Sequence, residues 1–530
     1  MREDNSPCLP PGWTWATIRD TGEYINGLAF RESDWGDEGL PIIRIQNLTD
    51  PSKPFNRTSR QVDPVYIVHR GDILLSWSAT LDAFTWRGET GVLNQHIFKV
   101  VPDNRLVHSP YLYHLLRHAI DLLKQSSHLH GSTMKHINRG PFLSFQVPLA
   151  PLAEQRRIVA EIEKHFTRLD AAVAALERAR ANLKRYRAAV LKAACEGRLV
   201  PTEAELARAE GRDYETGEQL LQRILQERRA QWEAEELAKL RAKGKEPKDD
   251  RWKAKYQEPA PPDTSDLPEL PEGWCYVAVG QLASVETGAT PLRSNAAYYS
   301  GGTIPWVTSG ALNRPYILDA EERITELALA ETNAKVFPAG TLLIAMYGEG
   351  RTRGKVSELR IDAATNQACA ALMLDGLATR SRPYVKLFFV HNYEALRRLS
   401  SGGVQPNLNL SVIRQTVIPL PPLAEQRRIV AEVERRLSVV EELERQVEAN
   451  LKRAARLRQA ILRRAFAGKL VPQDPNDEPG SVLLDRIRAE RAAAAAGEPK
   501  RRRSRRTSKN GTRSEPAAQT LPLIEAGVDR

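Results

Sequence analysis

The sequence predicts an α+β protein in which two β-rich segments are joined by two long helices that form an antiparallel coiled coil, with an internal pseudo-twofold repeat. Three observations carry this expectation. PLAEQRRIVAEIE at Pro151 to Glu163 returns as PLAEQRRIVAEVE at Pro422 to Glu434, so that Glu154 and Glu425 stand 271 positions apart. Each copy follows proline and opens an apolar stripe at helical spacing. Each is preceded by about 140 residues of short apolar runs separated by turn residues.

The repeat begins near the start of each half, where LPPGW at Leu9 to Trp13 returns as LPEGW at Leu270 to Trp274. A strand and turn follow, PIIRIQNL from Pro41 against IPWVTSGAL from Ile304. Gly71 then opens GDILLSW, and Gly340 opens GTLLIAM, each an apolar run of strand length. VLNQHIFKV, with Asn94 and Gln95, answers TNQACAALML, with Asn366 and Gln367. These four polar residues end turns before apolar strands and suit structural capping. A helix is predicted from Tyr111 and another from Tyr384, and GSTMKHIN at Gly131 lies opposite GGVQPNLN at Gly402.

The long helices come next. Ile162, Phe166, Leu169, Val173, Leu176, Leu183, Tyr186, Val190 and Ala194 recur at gaps of three, four or seven, the pattern of a coiled-coil seam. Their counterparts are Val433, Leu437, Val440, Glu444, Val447, Ala454, Leu457, Ile461 and Ala465, with Glu444 as the one polar interruption. A helix from Ala153 to Cys195 is about 65 Å long. A single apolar stripe of that length needs a partner, and the other copy supplies one. Both helices stop alike, at EGRLVP from Glu196 and AGKLVP from Ala467.

A shorter amphipathic helix ends each half, GEQLLQRILQERRA from Gly217 and GSVLLDRIRAERAA from Gly480. The first leads into a charged, proline-rich connection, Glu233 to Asp266, expected to be extended. The second leads into a basic tail expected to be disordered. The organisation expected is therefore a β-rich domain over 1–148, a long helix over 149–200, a short helix and linker over 201–268, a second β-rich domain over 269–419, a second long helix over 420–472, and a short helix with tail over 473–530.

Composition narrows the function classes. No run of roughly 18 apolar residues argues for a membrane span, and MREDNSPCLP lacks a signal-peptide core, so a soluble cytoplasmic protein is the default. Cys8, Cys195, Cys275 and Cys369 are far apart and form no CxxC pair, which argues against a disulfide framework or a zinc site. The net charge is +11, but Pro499 to Arg513 alone holds eight Lys or Arg and no acid, leaving +3 for the rest. Bulk charge therefore does not by itself establish nucleic-acid binding.

Catalytic signatures are missing. GEGRTRGK at Gly348 to Lys355 has one residue too many for a Walker A loop and no Ser or Thr after the lysine. His114 and His118 are four apart on a predicted helix, and His128, His130 and His136 follow, but without HExxH or a nearby cysteine they do not make a metal site. There is no GxSxG elbow, no NPPY-like loop and no acid-acid-lysine cluster. A binding protein is favoured over an enzyme, and the bland alternative is a coiled-coil adaptor whose basic tail supplies nonspecific affinity for nucleic acid.

The repeated PLAEQRR helix starts resemble the conserved regions of the DNA specificity subunit of type I restriction-modification systems. So do TGATPLRSNAAYYSGGTIPWVTSGAL from Thr287, MYGEGRTRGKVSELRIDAATNQACAAL from Met346 and SGGVQPNLNLSVIRQTVIPLPPLAEQ from Ser401. The resemblance spans roughly Leu9 to Pro472. It implies a non-catalytic subunit with two target-recognition domains, each reading one half of a bipartite site in double-stranded DNA, and with helices that fix the spacer. Two modification subunits would dock on the helices and use S-adenosylmethionine, and restriction subunits would use ATP and magnesium. No cofactor is expected on this chain. The first half departs from the pattern, with INGLAFRES and SATLDAFTWRGE in place of GATPLRS and GEGRTRGK.

Under that resemblance, DNA contact falls to side chains able to pair with base edges or phosphates. In the second domain these are Arg351, Arg353 and Lys355, supported by Arg293, Ser309 and Gln405. In the first they are Arg57, Arg60, Arg87, Lys135, His136 and Arg139. The near-identical Glu154, Gln155, Arg156 and Arg157, with Glu425, Gln426, Arg427 and Arg428, are expected to face the modification subunits or the base of the recognition domain.

Overall fold

The computed structural model describes residues 8–78, 80–125, 139–244, 246–247, 249–347, 352–399 and 408–497. The chain divides into two compact units, Met1–Leu169 with Ala455–Arg530, and Asp170–Ala454. Each unit therefore combines one β-rich segment with parts of both long helices.

In the first unit, strand Thr14–Thr17 pairs antiparallel with Gln146–Leu149, which closes the β-rich segment just before the first long helix. Two four-stranded sheets lie between those ends. One runs in the order Gly22–Asn26, Ile97–Pro102, Ile73–Ser76, Asp82–Thr85. The other places Leu40–Ile43 parallel to Gly91–Leu93. Gly71 has φ 99°, a left-handed turn that glycine enters without penalty before the buried strand Ile73–Ser76. Helix Ser109–Gln125 packs its apolar face, including Tyr111, Leu115 and Leu116, against the first long helix at Ile158 and Ile162 and the second at Ile461 and Ala465.

The second unit repeats this plan. Cys275–Ala278 pairs with Val417–Leu420, and Ile304–Val307 runs parallel to Ala363–Thr365. Gly340, at φ 94°, precedes the buried strand Leu342–Ala345 as Gly71 does in the first unit. The sheet built on that strand gains a fifth member, Tyr316–Ile317. The helix predicted from Tyr384 is broken into Arg382–His391 and Tyr393–Leu399.

The long helices run Leu152–Cys195 and Leu423–Phe466, 44 residues each. Gly197 and Gly468 take φ 68° and 66° after their ends, as a helix-stopping glycine should. Within each unit the start of one helix packs beside the end of the other, so the pairing is antiparallel. Two seam residues depart from expectation. Tyr186 and Leu457 are 46% and 50% exposed. The alternating step of three and four runs from Leu183 to Arg187 and from Ala454 to Arg458, and these arginines take the inward places. In the second unit Arg187 reaches Glu444 at 3.2 Å, so the interruption of the stripe is met by an opposite charge. In the first unit the Arg458 guanidinium lies 4.4 Å from the ring centre of Phe166.

The connection after the first long helix is less extended than its composition predicts. The helix from Gly217 continues to Ala242, and a 3-10 helix forms at Asp250–Lys255. Trp232, Trp252 and Tyr256 account for this, because their rings pack together at 5.3 to 6.2 Å between centroids. The basic tail from Lys500 lies outside the described residues.

Candidate nucleic-acid interface

In each unit the two parallel strands end side by side, and the turns that leave them form one surface. In the first unit the Asn94 amide donates to the Ile43 carbonyl at 3.1 Å, joining the turn after Leu40–Ile43 to the turn after Gly91–Leu93. In the second unit the Asn366 amide donates to Val307 at 3.0 Å in the same way. Asn366 also caps its own turn, its Oδ1 accepting from the Ala368 amide at 3.2 Å. Such turns are where a rigid sheet can present variable side chains to a ligand.

Ser309 opens the turn after the second unit's parallel strand, as predicted. Gln367 stands in the neighbouring turn, its side chain bonded to Thr290. Arg293 is close by but engaged: it pairs with Glu322 and lies 4.8 Å from the Trp306 ring centre. Lys355 donates to Asn313 Oδ1 at 2.6 Å, and Gly354 takes φ 83° within the same loop. Arg353 is half-buried there. Arg351 and Gln405 lie outside the described residues.

In the first unit Arg57 is tied to Glu89 at 2.7 Å and to the Gly39 carbonyl. Arg60 sits 3.8 Å from Asp34 and 5.7 Å from the Phe30 ring centre. Arg139 donates to the Tyr24 carbonyl at 3.3 Å, away from the paired turns. Arg87 is exposed, and Lys135 and His136 lie outside the described residues. The paired turns themselves carry residues the sequence reading passed over, namely Arg44, Gln46 and His96, beside Gln95. With Phe30 and Trp35 they line a groove of about 360 Å³. Their equivalence to Thr308, Gly310 and the residue after Gln367 was the available signal, through the alignments of PIIRIQNL with IPWVTSGAL and of VLNQHIFKV with TNQACAALML.

The repeated helix starts have a different character. Trp13 Nε1 donates to Glu154 Oε2 at 3.0 Å, and Trp274 Nε1 donates to Glu425 Oε1 at 3.0 Å. Burial pushes both carboxyl pKa values up against these hydrogen bonds. Gln155 donates to the Leu106 and Ala150 carbonyls and accepts from the His108 amide, while Gln426 donates to Pro421. These four side chains are buried against the base of the β-rich segments, which removes them from any partner's reach. Of the two expected placements, a modification subunit or the base of the β-rich domain, these four side chains take the second.

Arg157 and Arg428 bind the segment that follows the other helix. Arg157 pairs with Asp477 at 2.6 Å, and Arg428 pairs with Glu203 at 2.5 Å. Of the eight residues, Arg156 and Arg427 alone are turned outward and exposed.

Burial also governs the histidine pair on helix Ser109–Gln125. It pushes His114 and His118 down to about 4, with Arg117 and Arg458 adding to the effect at His114 and Arg463 at His118. Among the described residues no cluster of three His, Cys, Asp or Glu is placed to hold a metal ion, and no helix is long and apolar enough to cross a membrane.

Residues 10–179 and 271–453 match the family described as the type I restriction modification DNA specificity domain. The type I restriction enzyme EcoBI specificity subunit of Escherichia coli is 24% identical over 516 residues, covering 93% of this chain and 95% of that protein. The EcoKI specificity subunit of Escherichia coli strain K12 is 23% identical over 529 residues, covering 94% and 99%. A solved structure described under "complex assembly and conformational transition of the type I R-M system" superposes with a TM-score of 0.60 at 18% identity. It covers 88% of this chain and 100% of its own, a likeness of fold.

Proposed function

The chain belongs to the type I restriction modification DNA specificity family, and on that premise we infer that it is the sequence-reading, non-catalytic subunit of such a complex. Each β-rich unit reads one half of a split site in double-stranded DNA. The observation that carries this reading is the pair of equivalent turn surfaces, alike in backbone plan and different in side chains: Arg44, Gln46, Gln95 and His96 in one unit, Ser309, Gln367 and Arg293 in the other. Two non-identical readers imply two different half-sites, and so an asymmetric target.

The long helices set the unspecified spacer, and two modification subunits dock on them in a cytoplasmic assembly that restriction subunits complete. S-adenosylmethionine, ATP and magnesium serve those partners. Arg156 and Arg427 are the docking residues of the repeated motif, while Arg87, Arg139, Arg353 and Lys355, with Lys135, His136, Arg351 and Gln405, remain candidates for backbone or base contact.

Methylome sequencing of a host carrying this chain with its modification subunit tests the reading. A split motif with methylated adenine in both halves is expected, and a continuous palindrome would overturn it.

A further inference from the structure

We propose that Arg44 reads a guanine in the half-site bound by the first unit, with Gln95 as the neighbouring amide in the same groove. The proposal rests on the reading of the chain as a DNA specificity subunit and goes beyond it by naming the residue and the base.

Arg57, Arg60 and Arg293 are each held by a carboxylate, respectively Glu89, Asp34 and Glu322. A neutralised guanidinium has to break an ion pair before it can bind a base. Arg44 forms no ion pair among the described residues, and no carboxylate lines its groove. Its guanidinium lies instead 5.5 Å from the ring centre of Trp35. Stacking on an aromatic face restrains a flexible side chain while leaving its planar N–H fork unspent.

The placement is equally specific. Arg44 directly follows the buried strand residue Ile43, whose carbonyl receives the Asn94 amide, so the two turns cannot separate without breaking the sheet's end. The Arg44 amide itself donates to Asn47 Oδ1 at 3.2 Å, which fixes the start of the turn. Across the groove Gln95 bonds His96 Nε2 at 3.2 Å, and the His96 ring packs on Trp77 at 5.5 Å. The groove thus offers one fork of donors, from Arg44, and the Gln95 amide among its neighbours, on two fastened turns. Guanine presents O6 and N7 as paired acceptors in the major groove, the match for such a fork, and an amide is the usual partner of adenine.

The test is selection from random duplex DNA by the assembled methyltransferase complex, with the wild-type chain, Arg44→Ala and Arg44→Lys. The wild type should recover a split motif with a guanine in one half. Both variants should lose discrimination at that guanine by roughly 10- to 100-fold, leaving the other half and the spacer unchanged, since lysine keeps the charge but not the fork. An even loss of affinity with the motif intact would make Arg44 a phosphate contact and overturn the assignment. So would an unchanged motif, or a melting temperature lowered in both variants. A wild-type complex that selects no motif would overturn the underlying reading of the chain instead.

Discussion

The indole N–H of Trp13 donates to Glu154 at 3.0 Å, joining residues 141 positions apart. It holds the opening LPPGW segment to the first turn of the long helix, where an acid is favoured by the helix dipole. Trp13→Phe leaves a buried carboxylate oxygen without its donor. Stability of the isolated chain should fall by about 1–3 kcal/mol in urea denaturation, and an unchanged midpoint would show that the bond is dispensable. Trp274→Phe should do the same through Glu425.

Docking of the modification subunits should depend on the outward arginines rather than on their buried neighbours. Arg156→Glu with Arg427→Glu is expected to abolish co-purification while leaving the melting temperature within ~2 °C of wild type, as surface changes usually do. Retained assembly would remove these residues from the interface.

The Arg187–Glu444 pair is partly exposed, so its coupling should be small. A double-mutant cycle with alanine is predicted to give less than about 1 kcal/mol. Replacing both residues by leucine restores a continuous apolar seam and should raise the stability of the second unit. A destabilised double leucine variant would show that the charge pair sets the register of the two helices.

Acid should weaken the first unit through His114 and His118. Both are held neutral, with folded values near 4 against the ordinary 6.5. The stability they contribute is complete above about 6.5 and is lost as pH falls toward 4, because the unfolded chain takes up the protons first. The loss is on the order of 3 kcal/mol for each, at most. A chain with His114→Phe and His118→Phe should show a flatter stability profile across that window, and an identical profile would assign the acid sensitivity elsewhere.

The periodic and repeated parts of this fold were legible in the sequence. The helix stripe, the stop glycines Gly197 and Gly468 and the strands after Gly71 and Gly340 each follow from a local rule, and the duplication supplied two readings of each. Tyr186 was misplaced because an apolar residue beside an arginine looks like the seam, whereas strict spacing selects Arg187. Arg57 and Arg60 looked available for the same kind of reason: only folding brings Glu89 and Asp34 to them. Arg44 was passed over because nothing local distinguishes an arginine after a strand. Its setting is made by Trp35 and by a turn some fifty residues later. The burial of Glu154 was one of two placements its repeated motif left open, and only the fold, by bringing Trp13 to it, decides between them.

The helix starts that grip the far segments, Arg157 on Asp477 and Arg428 on Glu203, also impose an order in time. The first unit comprises residues up to Leu169 and residues from Ala455 onward. A ribosome adding roughly 5–20 residues per second leaves its β-rich segment waiting on the order of 15 to 60 s for the helix end that covers Ile158 and Ile162. The second unit is drawn from one uninterrupted stretch and has no such delay. The half of the protein made first is thus the half finished last, and during synthesis its exposed apolar helix face is the surface a chaperone would meet.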